Sequence, residues 1–333
     1  MANQKFLVMR LGSLGDIVHT FPAVAALRES FPTAEIIWVT HPKWQPLVLS
    51  SGLANDVWTV DTRDWTALRG ILARIRRHHF ETAIDYQGLW KSASIPFLTR
   101  VPKRIGFSSD TIREAGVPLF YTDRVRVNPA THMAEQNGEL SVRAGADSPT
   151  GSVRLSILPQ DEASTKRRLE SEGIADYVVL SPGGGWRSKC WPPERFGKLA
   201  RRISEELGLR CVINASPGEE GLAQSVIAAA EGSQPVAYSG NLGELMALLK
   251  NASAVVAGDT GPLHLADALR APVVAIFGPT NPARNGPYWH SGVVLRWEGA
   301  ETTYKRGTAP DESLLHVSVD EVLSALRGLR EAA

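Results

Sequence analysis

The chain has 333 residues, more than one core of usual size holds, so two domains of about 150 residues are expected. With 43% hydrophobic and 21% charged residues the composition is globular and excludes disordered and fibrous classes. Cys190 and Cys211 are the only cysteines, which excludes a disulfide framework or a cysteine-rich metal site. No apolar run approaches the length of a membrane span, and Met1–Lys5 lead into a strand pattern without a secretory apolar core. The cytoplasm is the expected location. A net charge of +1 conceals a basic stretch: residues 69–126 hold eleven Lys or Arg against five Asp or Glu. That excess fits solvated helix faces, or a surface that attracts an anionic acceptor or an anionic membrane face. No nucleic-acid motif accompanies it, so nucleic acid is not an expected partner.

Short apolar runs alternate with amphipathic stretches along the whole chain, the pattern of a parallel α/β protein. In the first half strands are expected at Lys5–Arg10, Glu35–Thr40, Asp56–Val60, Thr82–Asp85 and Arg104–Phe107. Helices are expected at Ile17–Ser30, Trp65–His78, Leu89–Leu98 and near His132–Ala144. The polar run Gly145–Gly151 suits a linker. In the second half strands fall at Tyr177–Ser181, Arg210–Ala215, Pro235–Tyr238, Ala252–Ala257 and Val273–Phe277. The intervening helices are Pro193–Leu207, Glu219–Ala230, Leu242–Leu248 and Pro262–Leu269. Ser318 with Glu321 forms a capping box for a last helix with an apolar stripe Val319, Val322, Leu323, Leu326 and Leu329. The expected fold is α/β: two Rossmann-like doubly wound domains facing across a cleft, with ligands at the carboxyl ends of the strands. The first spans residues 1–150 and the second 151–317, followed by a terminal helix at 318–333.

The first strand runs into Gly12-Ser13-Leu14-Gly15-Asp16-Ile17-Val18-His19. Its glycines permit a tight turn but do not make the Gly-x-Gly-x-x-Gly fingerprint, so a nicotinamide or flavin site is not indicated. Asp16 fits two roles. It is an N-cap for the following helix, or a general base that takes a proton from an attacking hydroxyl. In the second half, Ser253–Gly258 turns through Asp259-Thr260-Gly261 into a helix with Pro262 at its start. Such a turn presents backbone N–H groups and a positive dipole end to a phosphate, or is an ordinary strand-to-helix connection. After the strand ending at Ser181 come Gly183, Gly184 and Gly185, then Ser188 and Lys189. Exposed N–H groups with a lysine suit a leaving diphosphate; a solvated loop is the alternative. There is no Asp-x-Asp pair to hold a divalent ion, so Lys189, the helix start and His264 are left to supply positive charge. Glu219 and Glu220, after the turn Ser216-Pro217-Gly218, suit ribose hydroxyls or simply a helix dipole.

Five stretches in this order resemble glycosyltransferase family 9, the ADP-heptose:lipopolysaccharide heptosyltransferases. They are Gly12–Pro22, Asp85–Ser92, Lys189–Pro192, Asp259–His264 and Phe277–Thr280. The resemblance implies a GT-B fold and an inverting mechanism with no catalytic metal and no cofactor. An acceptor hydroxyl on inner-core Kdo or heptose would displace ADP from ADP-heptose. Asp16 matches the family's base and Lys189 its phosphate-contacting lysine. Asp259, Thr260, Gly261 and His264 match the family's diphosphate-binding turn, and Gly183, Gly184, Ser188, Glu219 and Glu220 are the further expected donor-side residues. Ser13, Gly15, His19, Gln87, Lys91, Ser92 and Arg113 resemble the acceptor side. The stretch Asp85–Ser92 is most similar to the Kdo-acting, heptosyltransferase I type, whereas the loop after Ser181 has the form seen more widely in the family. Another nucleotide sugar as donor, or a nucleotide-sugar epimerase on the same scaffold, are the alternatives. The implied partners are an ADP-sugar and an anionic lipopolysaccharide-core acceptor, with room for peripheral contact at the cytoplasmic face of the inner membrane. The last helix is implied to pack back on the first domain.

Overall fold

A computed structural model describes residues 4–216, 218–289 and 292–331. The chain separates into two compact units, Met1–Ser156 and Ile157–Ala333. The first carries β1 (Lys5–Met9), β2 (Glu35–Thr40), β3 (Asp56–Thr59), β4 (Thr82–Asp85), β5 (Lys103–Phe107) and β6 (Asp123–Val125). Among the described residues these make one sheet in the order β3-β2-β1-β4-β5-β6, with every pairing parallel. The second unit carries β7 (Tyr177–Ser181), β8 (Arg210–Asn214), β9 (Val236–Tyr238), β10 (Ala254–Gly258), β11 (Val273–Phe277) and β12 (Gly292–Arg296). Its order, β12-β11-β10-β7-β8-β9, is again parallel throughout. Central strands such as Phe6–Met9 and Ala254–Gly258 are buried along their length, as helices on both faces require. Each unit is therefore doubly wound.

Several elements lie outside the expected set, among them two helices and two edge strands. The helix Pro159–Ser171 buries only Thr165 and Leu169, so its sequence carries almost no apolar stripe. The helix Gln45–Ser50 is under two turns long. The strands β6 and β12 are sheet edges; β12 is half-buried and β6 has three residues, too short for a readable alternation. The expected helix Ile17–Ser30 is two helices, Leu14–Val18 and Phe21–Ser30. Pro22 has no N–H to continue the ladder, and the Asn137 side-chain amide donates to the His19 carbonyl (3.0 Å) and Thr20 Oγ1 (3.3 Å) at the break.

The run Gly145–Gly151 is anchored to the first unit. Gly151 N donates to the Pro22 carbonyl (2.8 Å), Ser152 N to Glu29 (2.7 Å) and Ser156 N to the Ser50 carbonyl (2.8 Å). The division accordingly falls after Ser156 and not at residue 150. The last helix, Val319–Glu331, also departs from expectation. Its Val322, Leu323 and Leu326 are buried in the second unit's own core with Phe196, Ile203, Ile276 and Leu314. Ion pairs Arg202–Asp320 and Arg327–Glu206 hold it along the helix Pro193–Leu207. The stripe implied to cover the first domain is taken up inside the second. Among the described residues no helix is long and apolar enough to cross a membrane.

Candidate active site

In both sheets the strand order reverses once, between β1 and β4 and between β10 and β7. Loops on either side of such a point run in opposite directions and leave a crevice at the strands' carboxyl ends. The residues singled out from the sequence lie mainly on the four loops at these two points.

In the first unit, Ser13 is the N-cap of Leu14–Val18 and Asp16 occupies the third helical position. Asp16 is thus not the cap itself. Its Oδ2 accepts from Ser13 N (3.1 Å) and Ser13 Oγ (2.9 Å), and its Oδ1 faces Arg10 Nη2 at 2.9 Å. The Asp16 side chain is 46% exposed, whereas that of Arg10 is 6% exposed. A buried guanidinium therefore holds a carboxylate that reaches solvent. Arg10 Nη1 also donates to the Tyr86 carbonyl, just beyond β4, so one side chain ties the two loops of the switch point. Gln87 Oε1 adds a second tie by accepting from Leu11 N (2.6 Å). The turn leaves little room at Gly12, where a Cβ would lie 2.9 Å from Trp44 Nε1. Arg10 was not singled out from the sequence. The available signal was a charged residue ending an otherwise apolar strand.

Asp85, at the end of β4, is 1% exposed and accepts four hydrogen bonds. They come from Gln87 N (2.9 Å), Gly88 N (3.3 Å), Ser92 Oγ (3.0 Å) and Tyr121 OH (2.7 Å). Burial pushes its carboxyl above the ordinary value, and the Tyr121, Gln87, Ser92 and Gly88 bonds oppose that shift. Ser92 is fully buried and its hydroxyl is occupied by Asp85 and the Leu89 carbonyl, which suits a loop anchor and not an acceptor contact. Lys91 and Arg113 are exposed. Gly15 is buried within its short helix, and the buried His19 ring meets His132 edge-on at 4.8 Å.

In the second unit, Lys189 Nζ lies 2.6 Å from Asp259 Oδ2, and His264 Nε2 lies 3.2 Å from Asp259 Oδ1. The lysine and aspartate side chains are 14% and 5% exposed. Burial opposes ionisation of Asp259, but His264 and Lys189 outweigh it and hold the carboxyl far below the usual range. Both carboxylate oxygens are thus engaged by side chains of the same site. Asp259 positions Lys189 against the helix Gly261–Ala268, whose first turn lacks intrahelical acceptors for its N–H groups. Gly261 is its first residue and Pro262 its second. Thr260 is the N-cap; its Oγ1 is buried and makes no hydrogen bond. Gly184 abuts it: a Cβ there would lie 3.2 Å from Thr260 Cγ2 and 3.0 Å from Cys190 Sγ.

A Cβ on Gly183 would lie 2.2 Å from Glu219 Oε1, so the Glu219 carboxylate lies over that glycine. Glu219 Oε2 also accepts from Ser216 N (3.0 Å) at the start of Glu220–Ala229. Glu220 is exposed and its carboxyl is lowered by the Gly218 N–H, which fits the dipole role better. Pro217 of that turn lies outside the described residues. Ser188 is buried, with its hydroxyl accepting from Gly307 N (3.3 Å), so it fastens its loop to residues 307–311. Like Arg10, Trp186 was not singled out from the sequence; Lys189 Nζ lies 4.3 Å and the Arg306 guanidinium 5.4 Å from its ring.

Two parallel doubly wound units, with an anchored carboxylate in one and a lysine beside a helix start in the other, define the GT-B class of glycosyltransferase. The fold is shared over its full length with solved enzymes of that class. The Escherichia coli ADP-heptose lps heptosyltransferase II superposes with a TM-score of 0.83 at 20% identity, covering 99% of this chain and 100% of that one. The E. coli heptosyltransferase WaaC with ADP gives 0.77 at 24% identity, covering 98% and 100%. In sequence, the profile of "Glycosyltransferase family 9 (heptosyltransferase)" matches residues 69–312. Lipopolysaccharide heptosyltransferase 1 of Pseudomonas aeruginosa is 30% identical over 310 residues, 87% of this chain and 83% of that protein. The chain belongs to glycosyltransferase family 9 and is a glycosyltransferase.

Three outcomes test this geometry. Arg10→Met is expected to lower kcat about tenfold or more, because Asp16 and the Tyr86 carbonyl lose the side chain that holds them in place. Ser92→Ala is expected to lower stability by about 1–3 kcal/mol, leaving a buried carboxylate short of a donor, with acceptor KM unchanged. Asp259→Asn is expected to cost about 3 kcal/mol in urea denaturation, since Lys189 is left buried without its partner. A carboxyl held low when folded stabilises above its unfolded value and loses that contribution as pH falls. The gap from wild type should be full above about pH 5 and should narrow progressively as pH falls below about 4.

Proposed function

We propose that the protein transfers a heptose from ADP-heptose to the inner core of lipopolysaccharide, on Kdo or a first heptose, with inversion and without a catalytic metal. The family supports glycosyl transfer. The relatives' names support the donor and the acceptor pathway, since they include an ADP-heptose enzyme, one described with ADP and a lipopolysaccharide heptosyltransferase 1. The observation that carries the reading is the set Lys189, Thr260 and the start of Gly261–Ala268. A buried hydroxyl with no protein partner, beside a helix start and a lysine, suits a phosphate oxygen. These groups supply the positive charge that a divalent ion supplies in metal-dependent enzymes.

In the proposed step Asp16 accepts the proton of the acceptor hydroxyl as its oxygen bonds to the anomeric carbon. The bond from that carbon to the diphosphate breaks from the opposite face, and the electron pair leaves with ADP. Lys189, the Thr260 hydroxyl and the first-turn N–H groups stabilise the departing charge, while Asp259 holds Lys189 in place. Glu219, whose carboxylate lies over Gly183, accepts from ribose hydroxyls in this reading. On the acceptor side Gln87, Lys91 and Arg113 contribute, the last two as cations for a sugar acid or phosphate.

Asp16→Ala is expected to reduce turnover by about 10²–10⁴ while calorimetric ADP binding stays at the wild-type level. NMR of the wild-type product should show inverted anomeric configuration. Wild-type turnover by Asp16→Ala, consumption of donor without acceptor, or preference for a uridine nucleotide would each overturn this reading.

A further inference from the structure

Asp16 stands on a helix of five residues, Leu14–Val18, too short to hold its own shape in water, so contacts from other elements must fix its position. Arg10 is one such contact. A second lies at the other end of the short helix, where the main chain breaks. Thr20 N donates to the Ile17 carbonyl (2.9 Å), an i→i+3 bond. The Asp16 carbonyl takes the Thr20 hydroxyl in its place, at 2.8 Å. A side chain thus replaces the regular main-chain bond at the residue that carries the carboxylate.

The Thr20 hydroxyl is itself aimed by Asn137, on the helix Met133–Ala144. Asn137 Nδ2 donates to Thr20 Oγ1 (3.3 Å) and to the His19 carbonyl (3.0 Å). Accepting from Asn137 leaves the hydroxyl proton for the Asp16 carbonyl. Both residues are fully buried. Asn137 Oδ1 is also buried and has no hydrogen-bond partner. Such an oxygen lowers stability, a loss that a leucine of similar size avoids. What the amide supplies, and a leucine cannot, is the pair of donations at the break. One turn along the same helix, Ser141 Oγ donates to the Ala23 carbonyl (2.7 Å) and lies 2.7 Å from Tyr86 OH, whose residue Arg10 holds by its carbonyl. The turn that carries Asp16 is therefore clasped twice, by Arg10 at its carboxylate and by Asn137, through Thr20, at its carbonyl.

We propose that Asn137 and Thr20 are positioning residues for Asp16: they fix the carbonyl end of its helix, and with it the direction of the carboxylate toward the acceptor hydroxyl. The inference rests on Asp16 being the base of the transfer reaction proposed above. A purely structural role would lower stability and leave the chemistry untouched. A positioning role lowers the rate, and does so only while Asp16 is present.

The test is steady-state kinetics of the full chain with ADP-heptose and a deacylated, water-soluble core acceptor. Thr20→Val keeps the shape and removes the hydroxyl. It should lower kcat about tenfold or more with both KM values near wild type, because a small misplacement of a reacting group is costly. Thr20→Ser, which keeps the oxygen, should turn over near the wild-type rate. Asn137→Leu should match Thr20→Val, and the two together should be no slower than either alone. In an Asp16→Ala background neither substitution should slow the residual rate further. Thr165→Val serves as the control: this buried threonine of the second unit has comparable bonds, to Tyr238 OH (3.0 Å) and the Glu244 carbonyl (3.3 Å). It should lose stability in urea with kcat unchanged. Thermal melting establishes folding, and Thr20→Val carries the test if Asn137→Leu does not fold. Wild-type kcat in folded Thr20→Val, Thr20→Ser as slow as Thr20→Val, or an equal loss in Thr165→Val would overturn the proposal. So would the same proportional loss from Thr20→Val with Asp16 already removed. A wild-type rate in Asp16→Ala refutes the base itself, whereas a slow Asp16→Ala beside a fast Thr20→Val refutes only the positioning role.

Discussion

The reversal of strand order at one point in each sheet is the constraint on which the candidate site depends. Right-handed crossovers place successive helices on one face while strands are added outward in one direction. When addition restarts from the first strand in the other direction, as from β3 back to β4 beside β1, the next helix lies on the opposite face. The loops after β1 and β4 then part, and so do those after β7 and β10. Main-chain groups at these loops are not consumed by the sheet, which leaves them for ligands. Residues far apart in the chain, such as Arg10 and Tyr86 or Lys189 and Asp259, become neighbours there.

At both points a charge of one sign is fixed by a more buried charge of the other. Arg10 lies beneath Asp16, and Asp259 lies behind Lys189. Each arrangement fixes the outer group in place, since the inner partner is held by further bonds to Tyr86 or His264. The cost is electrostatic. Asp259 cancels much of the charge that Lys189 carries into its loop. For Lys189 the loss is offset by the helix start at Thr260, whose first-turn N–H groups lack intrahelical acceptors. Position has been favoured over strength of charge there.

Strand and helix types were legible in the sequence wherever burial is continuous. Val255–Ala257 and Val273–Phe277 are apolar because helices cover both faces, and Pro193–Leu207 keeps a strong stripe because it rests on the sheet. Glycine-bearing turns after strands marked the candidate loops for the same reason, as local backbone requirements write themselves into local residues. What the sequence left open were the partners. Edge strands such as β6, and the polar helix Pro159–Ser171, bury too little for any periodicity to show. Asp16 moved from cap to third position, Ser92 from acceptor contact to buried anchor, and the last helix from the first unit to the second. Arg10 gained its role only when β1 and β4 paired. Which charge opposes which, and which hydroxyl is left without a partner, depends on residues brought together across 70 or more positions. Only the tertiary structure decides that, because electrostatics and hydrogen bonds act through space and leave no period along the chain.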